Sequence, residues 1–412
     1  MTDQNLTTVV PSVFDADLPF LPYFGAEYQE DPHRLNRLAR EQGPVAMGPL
    51  GPEALAYETV QTVLRDPRFR LPEGVVLEAQ GITSGPLWDR VVKSILSLDG
   101  DDHQRLRRLV ARAFSPRSVD RLRTTMAEVI DELVSSVAPA GRCDVVADIA
   151  RPYPIPVICE LLGAPRRDWP LFSAWAEDLF KLFNYDAAHD GPVIVRAFQE
   201  LDAYVEEMVD ARRRTLTGDL VSDLIRAADG GDRLTLDELK MLVSDILTAG
   251  TDTTRNQLAA AVEVLCDHPA QWTLLGEHPE FAAGAVEEVM RHSPIVFRTA
   301  RQAIVDVELA GMAIPAGTLV GANLAAANRD PAVYDDPDRF DITRRGPAPM
   351  LTFGGGIHYC LGVHLARVEL AEALAVMARR MPQISRTGPA GWKPVLGVSG
   401  PTALAVEFEA GH

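Results

Sequence analysis

Apolar residues recur at helical spacing through most of the chain between about residues 103 and 265, and again from about 361 to 380. Short apolar runs broken by glycine and proline lie elsewhere. Gly48, Pro49, Gly51 and Pro52 predict a small hairpin within 45–57, and a short helix over 58–65 ends at Asp66-Pro67. Residues 303–328 read as strands punctuated by Gly311, Pro315 and Gly317. The pattern predicts a mainly α protein with a small β part.

One helix stands apart. Thr235 and Glu238 have the spacing of a capping box, and the helical pattern runs on to Asp267, before His268-Pro269. Much of it is apolar around the whole circumference, as at Ile246-Leu247 and Leu258 to Val262, which predicts a helix passing through a core. Its middle, Ala249-Gly250-Thr251-Asp252-Thr253-Thr254, replaces good helix formers with glycine, aspartate and threonines. Either this is a tolerated defect, or the helix opens beside a ligand and presents an acid and an alcohol together.

No linker or repeat divides the 412 residues, so 1–412 read as one domain with residues 1–30 as an extended lead-in. The net charge of −18 disfavours nucleic acid or an anionic membrane as main partner. The four cysteines (143, 159, 266, 360) form no C-x-x-C pair, which fits a reducing compartment. Met1 to Gly25 carries neither a basic start nor a long apolar run. The expectation is a cytoplasmic protein with no membrane anchor.

The segment Phe353-Gly354-Gly355-Gly356-Ile357-His358-Tyr359-Cys360-Leu361-Gly362 puts three glycines before one cysteine at a helix start. Glycines allow close backbone approach, and a helix N-terminus favours a thiolate. The segment therefore reads as a loop delivering an anionic sulfur to something large. A buried hydrophobic cysteine, a nucleophile, or a zinc site with His358 and His364 are the other readings, the last without a convincing fourth ligand.

The same segment resembles the cytochrome P450 signature F-G-x-G-x-H-x-C-x-G at every fixed position. Glu288 and Arg291 match the family's E-x-x-R, Pro337-Asp338-Arg339-Phe340 is similar to its P-E-R-F element, and Ala249 to Thr254 match A-G-x-D-T-T. The resemblance implies the P450 fold, with haem b between the long central helix and the Cys-loop helix. It implies Cys360 as iron ligand, with Phe353, Gly354, Gly356, Gly362, Ala249 and Gly250 against the cofactor. It implies propionate contacts at His103, Arg107, His358 and Arg301, with Arg298 the alternative to Arg301. It implies a structural triad of Glu288, Arg291 and Arg339. Asp252 and Thr253 become the pair that governs proton supply during oxygen activation.

The activity so implied is a haem-thiolate monooxygenase that uses O₂ on a hydrophobic small molecule. A non-catalytic haem sensor and an H₂O₂-driven peroxygenase are the alternatives. The 70–96 loop, residues 172–200, Leu247-Thr248, Ile295-Val296-Phe297 and Val398-Ser399 are expected to line the pocket, with Phe172, Phe180, Phe183 and Tyr185 nearby and the 70–96 and 172–200 segments as lids. The chain carries no flavin, iron–sulfur or dinucleotide motif, so the resemblance points to a separate ferredoxin and reductase. Residues 103–123 hold seven arginines against one acid, Asp120, which is either a solvated face or a docking patch for an acidic ferredoxin.

Overall fold

The computed structural model describes residues 10–184, 186–228, 234–346 and 348–410. Residues 1–9 of the lead-in and Tyr185 fall outside this set. The lead-in is less extended than its sequence predicts. It lies along the β structure through bridges from Ser12 to Ala313 and from Phe20 to Met47, and its end coils into a short helix, Ala26–Glu30.

The main sheet has five strands: β1 (Val45–Gly48), β2 (Gly51–Ala54), β3 (Phe69–Arg70), β4 (Arg298–Ala303) and β5 (Leu319–Asn323). Their spatial order is β1-β2-β5-β4-β3. Only the β2–β5 pair is parallel, with Glu53 opposite Gly321. The predicted 45–57 hairpin is thus the outer edge of this sheet.

Three smaller sheets of two or three strands each lie elsewhere among the described residues, and the remaining elements are helices. Those that frame the site are α1 (Pro86–Val91), α2 (Gly100–Ala111), α3 (Arg123–Val137), α4 (Pro154–Leu162), α5 (Trp169–Phe180), α6 (Ala187–Arg214), α7 (Leu236–Cys266), α8 (Ala282–His292) and α9 (Val363–Arg380). Helix α7 is the predicted central helix. It starts at the capping box, where the Thr235 hydroxyl accepts from Glu238 N at 3.1 Å and Thr235 N donates to Glu238 Oε2 at 2.8 Å. Its 31 residues span roughly 46 Å. Leu242, Val243, Leu247 and the Leu258–Leu265 stretch bury into one large apolar core, shared with α4, α5, α6 and α9.

The awkward middle of α7 does not interrupt it; the α-helix is continuous. The threonines are accommodated because their hydroxyls donate back one turn, Thr251 to Leu247 O and Thr253 to Ala249 O, both at 2.7 Å. Gly250 packs closely against α4. A Cβ there would meet the Ile158 side chain of α4 at 2.6 Å. Among the described residues no helix is long and apolar enough to cross a membrane.

Candidate active site

The cysteine loop is a tight turn ending at α9. Gly354 and Gly356 take left-handed angles, φ 72° and 66°, and a Cβ on Gly356 would strike Leu64 O at 2.6 Å. The loop is pinned by Cys360 N donating to Phe353 O at 3.0 Å. Burial raises the Cys360 pKa; the Gly362 amide and the Arg107 and Arg367 guanidiniums act the other way. Arg107 also donates to the carbonyl of Tyr359, and Arg367 lies over the Phe353 ring at 5.0 Å. The zinc reading finds no support: His364 is exposed, and the described residues contain no His/Cys/Asp/Glu group arranged to hold a metal ion.

Beside the loop stand cationic and hydrogen-bonding groups short of partners. The His103 and His358 rings are 4.4 Å apart. His103 Nδ1 is buried without a hydrogen bond, and His358 Nε2 comes no nearer than 3.8 Å to Asp99. Burial, His103 and Arg301 push the His358 pKa down to about 4. Arg301 is 3% exposed and, among the described residues, bonds only Thr299 Oγ1 (3.3 Å) and the Ala300 carbonyl (2.8 Å). Burial lowers its pKa to about 10, with Asp99 the one acid that opposes the shift. A buried guanidinium and two unsatisfied imidazoles with a single carboxylate nearby suit a dianionic ligand. Arg298 has no such need. It pairs with buried Glu53 at 3.0 Å, bonds Tyr28 Oη at 2.7 Å and lies over the Tyr23 ring at 3.9 Å.

On α7, Ala249 is exposed and Gly250 and Thr253 are half-open, amid buried neighbours. Spaced i, i+4, Ala249 and Thr253 form one stripe that a flat ligand can cover. Asp252 points elsewhere. Its carboxylate takes donors from Arg255 (3.2 Å), Asn256 (3.3 Å) and Lys393 (3.3 Å).

One sequence expectation needs correction. Arg339 is not the third member of the triad. Its side chain is 62% exposed and pairs with Asp341 at 2.7 Å, because the adjacent Phe340 takes the inward position against His268 and His292. Arg344 replaces it, with Nε 3.1 Å from Glu288 Oε1, while Arg291 grips Glu288 through two bonds of 2.8 Å. Arg339 contributes only its carbonyl, to both arginines.

A cavity of about 80 Å³ between α1, α5, α6 and α7 is lined by Arg90 and Ser94 of the 70–96 loop, Phe183 and Phe198 of the 172–200 segment and Thr248, all within the expected stretches, and also by Met241 and Asp245. Leu247 lies in the helical core, and Phe297 packs with Leu21 and Tyr28 in the N-terminal cluster. Val296 and Val398 do meet, across an isolated bridge, and Ile295 is buried where its carbonyl accepts from Ser399 N at 2.8 Å.

Asp245, Arg344, Lys393 and Glu369 escaped the sequence reading. Only Asp245 left a signal, a charge within the apolar run around Ile246-Leu247. Glu369 of α9 is wholly buried, and burial raises its pKa well above the usual carboxylate range, offset in part by the Thr254 hydroxyl.

The chain belongs to the cytochrome P450 family, whose sequence profile (Cytochrome P450) matches residues 171–273 and 278–381. It is a P450 monooxygenase of the bacterial type, with haem b as cofactor and with O₂ and a substrate as the molecules it binds. It is 38% identical to the luteothin monooxygenase of Streptomyces thioluteus over 96% of this chain and 97% of that one. The mycinamicin IV hydroxylase/epoxidase of Micromonospora griseorubida is 39% identical, over 87% and 90%. The crystal structure of CalO2 superposes with a TM-score of 0.88 at 33% identity, covering 94% and 98%.

Proposed function

We propose that residues 1–412 form one cytoplasmic catalytic domain that hydroxylates or epoxidises an apolar bacterial secondary metabolite, with electrons from a separate ferredoxin. The observation that carries the site assignment is the pairing of the Cys360 loop with an excess of unsatisfied donors at His103, His358 and Arg301.

In this reading Cys360 ligates the haem iron, and the bound group supplies dioxygen activation at the thiolate-ligated metal. Arg107, Arg301, His103 and His358 hold the two propionates. The Gly362 amide tempers the sulfur's charge. Gly354 and Gly356 let the loop lie flat, and Phe353 shields it; Ala249 and Gly250 leave the opposite face uncrowded. Thr253 orients a water at the reaction side of α7. Asp252, joined to the half-exposed Lys393, connects that point to solvent. Glu288, Arg291 and Arg344 fix the segment leading to the cysteine loop.

Four arginines on the outer face, Arg108, Arg112, Arg117 and Arg121, are exposed and without a carboxylate partner among the described residues. Arg105 and Arg123 are paired, to Glu238 and to Asp120 and Glu372. The free four support a docking patch for an acidic ferredoxin. The mycinamicin IV enzyme is named for hydroxylation and epoxidation, which supports the two reaction types.

The test is Thr253→Ala in the haem-loaded enzyme with a ferredoxin system. NAD(P)H consumption continues, product falls about tenfold, and peroxide takes its place. Unchanged coupling removes Thr253 from proton handling. Reduced protein with carbon monoxide must give the thiolate-type band, and Cys360→Ser must abolish it. Arg112→Glu should slow reduction while leaving substrate affinity alone.

A further inference from the structure

The cavity between α1 and α7 has two unlike walls. Leu179, Phe183, Phe198 and Met241 make the apolar one; Arg90, Ser94, Asp245 and Thr248 make the polar one. The charges on the polar wall do not balance. Arg90 turns its terminal nitrogens to other neighbours: it holds Asp202 through two bonds of 3.0 and 2.9 Å, donates to Ser244 at 3.0 Å and lies over the Phe198 ring at 4.8 Å, while its Nε is buried without a partner among the described residues. Asp245 receives only neutral donors, Ser94 Oγ at 2.7 Å and the Ile95 amide at 2.9 Å. A carboxylate has about four acceptor positions, so about half remain open. Burial pushes this carboxyl up to about 6, opposed by the Ser94 and Ile95 hydrogen bonds and by the charge of Arg90, which makes no hydrogen bond to it.

Its place on α7 adds a length. Asp245, Ala249 and Thr253 follow one another at i, i+4 and i+8, on a single stripe of the helix. Eight residues are about 12 Å along the axis. A group held at Asp245 therefore sits about two turns from the residue assigned to the reaction side.

We propose that Asp245 is a specificity-determining residue that anchors a cationic ammonium of an otherwise apolar substrate, placing the oxidised carbon about 12 Å from that charge. The inference rests on the site assignment above. The 80 Å³ cavity holds only a fragment of such a molecule. Entry therefore requires the 90–97 segment, tied down by Arg90, Ser94 and Ile95, to swing outward, with the incoming ammonium taking over acceptor positions on Asp245. Phe183 lines the same cavity, and an aromatic ring can receive a cation on its face.

The experiment uses haem-loaded protein and three probes below their micelle concentrations: dodecyltrimethylammonium, dodecanol and dodecanoate. The quaternary nitrogen cannot ligate iron. Dissociation constants are read by tryptophan quenching and by the shift from low to high spin. Dodecyltrimethylammonium is expected to bind about tenfold or more tighter than dodecanoate, the range of one charge-assisted contact. Asp245→Asn should erase that advantage and leave dodecanol unchanged. Ser94→Ala, which loosens the clamp but keeps the carboxylate, should retain it.

Equal affinity for all three probes, a preference for dodecanoate, or equal losses for every probe in Asp245→Asn would overturn the proposal. So would a lack of binding by any probe. If Asp245→Asn does not fold, the ranking in the wild type and in Ser94→Ala decides. A missing thiolate band with carbon monoxide would instead strike the site assignment, and the quenching ranking would still report on Asp245.

Discussion

Lys393 Nζ lies 3.3 Å from Asp252 Oδ2, reaching the central helix from the hairpin near the C-terminus. The same lysine lies over the Phe180 ring at 5.4 Å, and its carbonyl accepts from Ser399 Oγ at 2.7 Å. Asp252 is thus held by an internal partner, Arg255 at 6% side-chain exposure, and by one at the solvent edge, Lys393 at 35%. Glu177 and Arg151 complete the charges around it.

Lys393→Met removes the solvent-side partner and leaves Arg255 in place. The expected outcome is a severalfold fall in product formed per NAD(P)H, with substrate affinity unchanged. Steady-state product and peroxide analysis, beside a binding titration, checks it. Unaltered coupling would show that Lys393 only decorates the surface.

The Glu288 cluster separates two arginines that look alike in sequence. Arg344→Ala strips a buried carboxylate of one of its cations, which costs about 3 kcal/mol or more. Arg339→Ala breaks an exposed pair with Asp341, worth less than about 1 kcal/mol. Thermal unfolding of the two variants should differ clearly, with Arg344→Ala much the weaker.

Arg301 and Arg298 are three residues apart on β4 with opposite demands. Arg301→Gln should raise the rate of haem transfer to apomyoglobin about tenfold and barely alter the melting of haem-free protein. Arg298→Gln, which orphans buried Glu53, should lower that melting temperature and leave haem retention nearly intact. The reverse pattern would reassign the propionate contact.

Glu369 makes a stability prediction with a definite sign. Its folded pKa is raised well above the unfolded value, so the folded state binds the extra proton and stability is lost as pH rises above the ordinary glutamate range. Glu369→Gln removes that loss. The variant should melt with wild type near pH 4 and above it at pH 8, by roughly 1–3 °C. Calorimetry at the two values decides.

The long helix was legible because a capping box, a stop at His268-Pro269 and all-round hydrophobicity agree. The cysteine loop was legible because Gly356 has no room for a Cβ and Gly354 takes a left-handed angle. What escaped depends on side-chain direction. Nothing local tells that Phe340 turns inward and so sends Arg339 outward, leaving Glu288 to an arginine five residues on. Nor does spacing reveal that Asp252 meets a lysine 141 positions away.

Helix α2 serves two surfaces at once. Its inner side carries His103 and Arg107, and Arg107 grips the carbonyl of Tyr359, one residue before the sulfur. Its outer side carries Arg108 and leads to Arg112, both exposed. A helix is stiff across its own width, so a load on the outer side arrives inside as displacement rather than being absorbed. A protein bound at the docking patch proposed above would therefore touch the same helix that holds the carbonyl of Tyr359 from its other side.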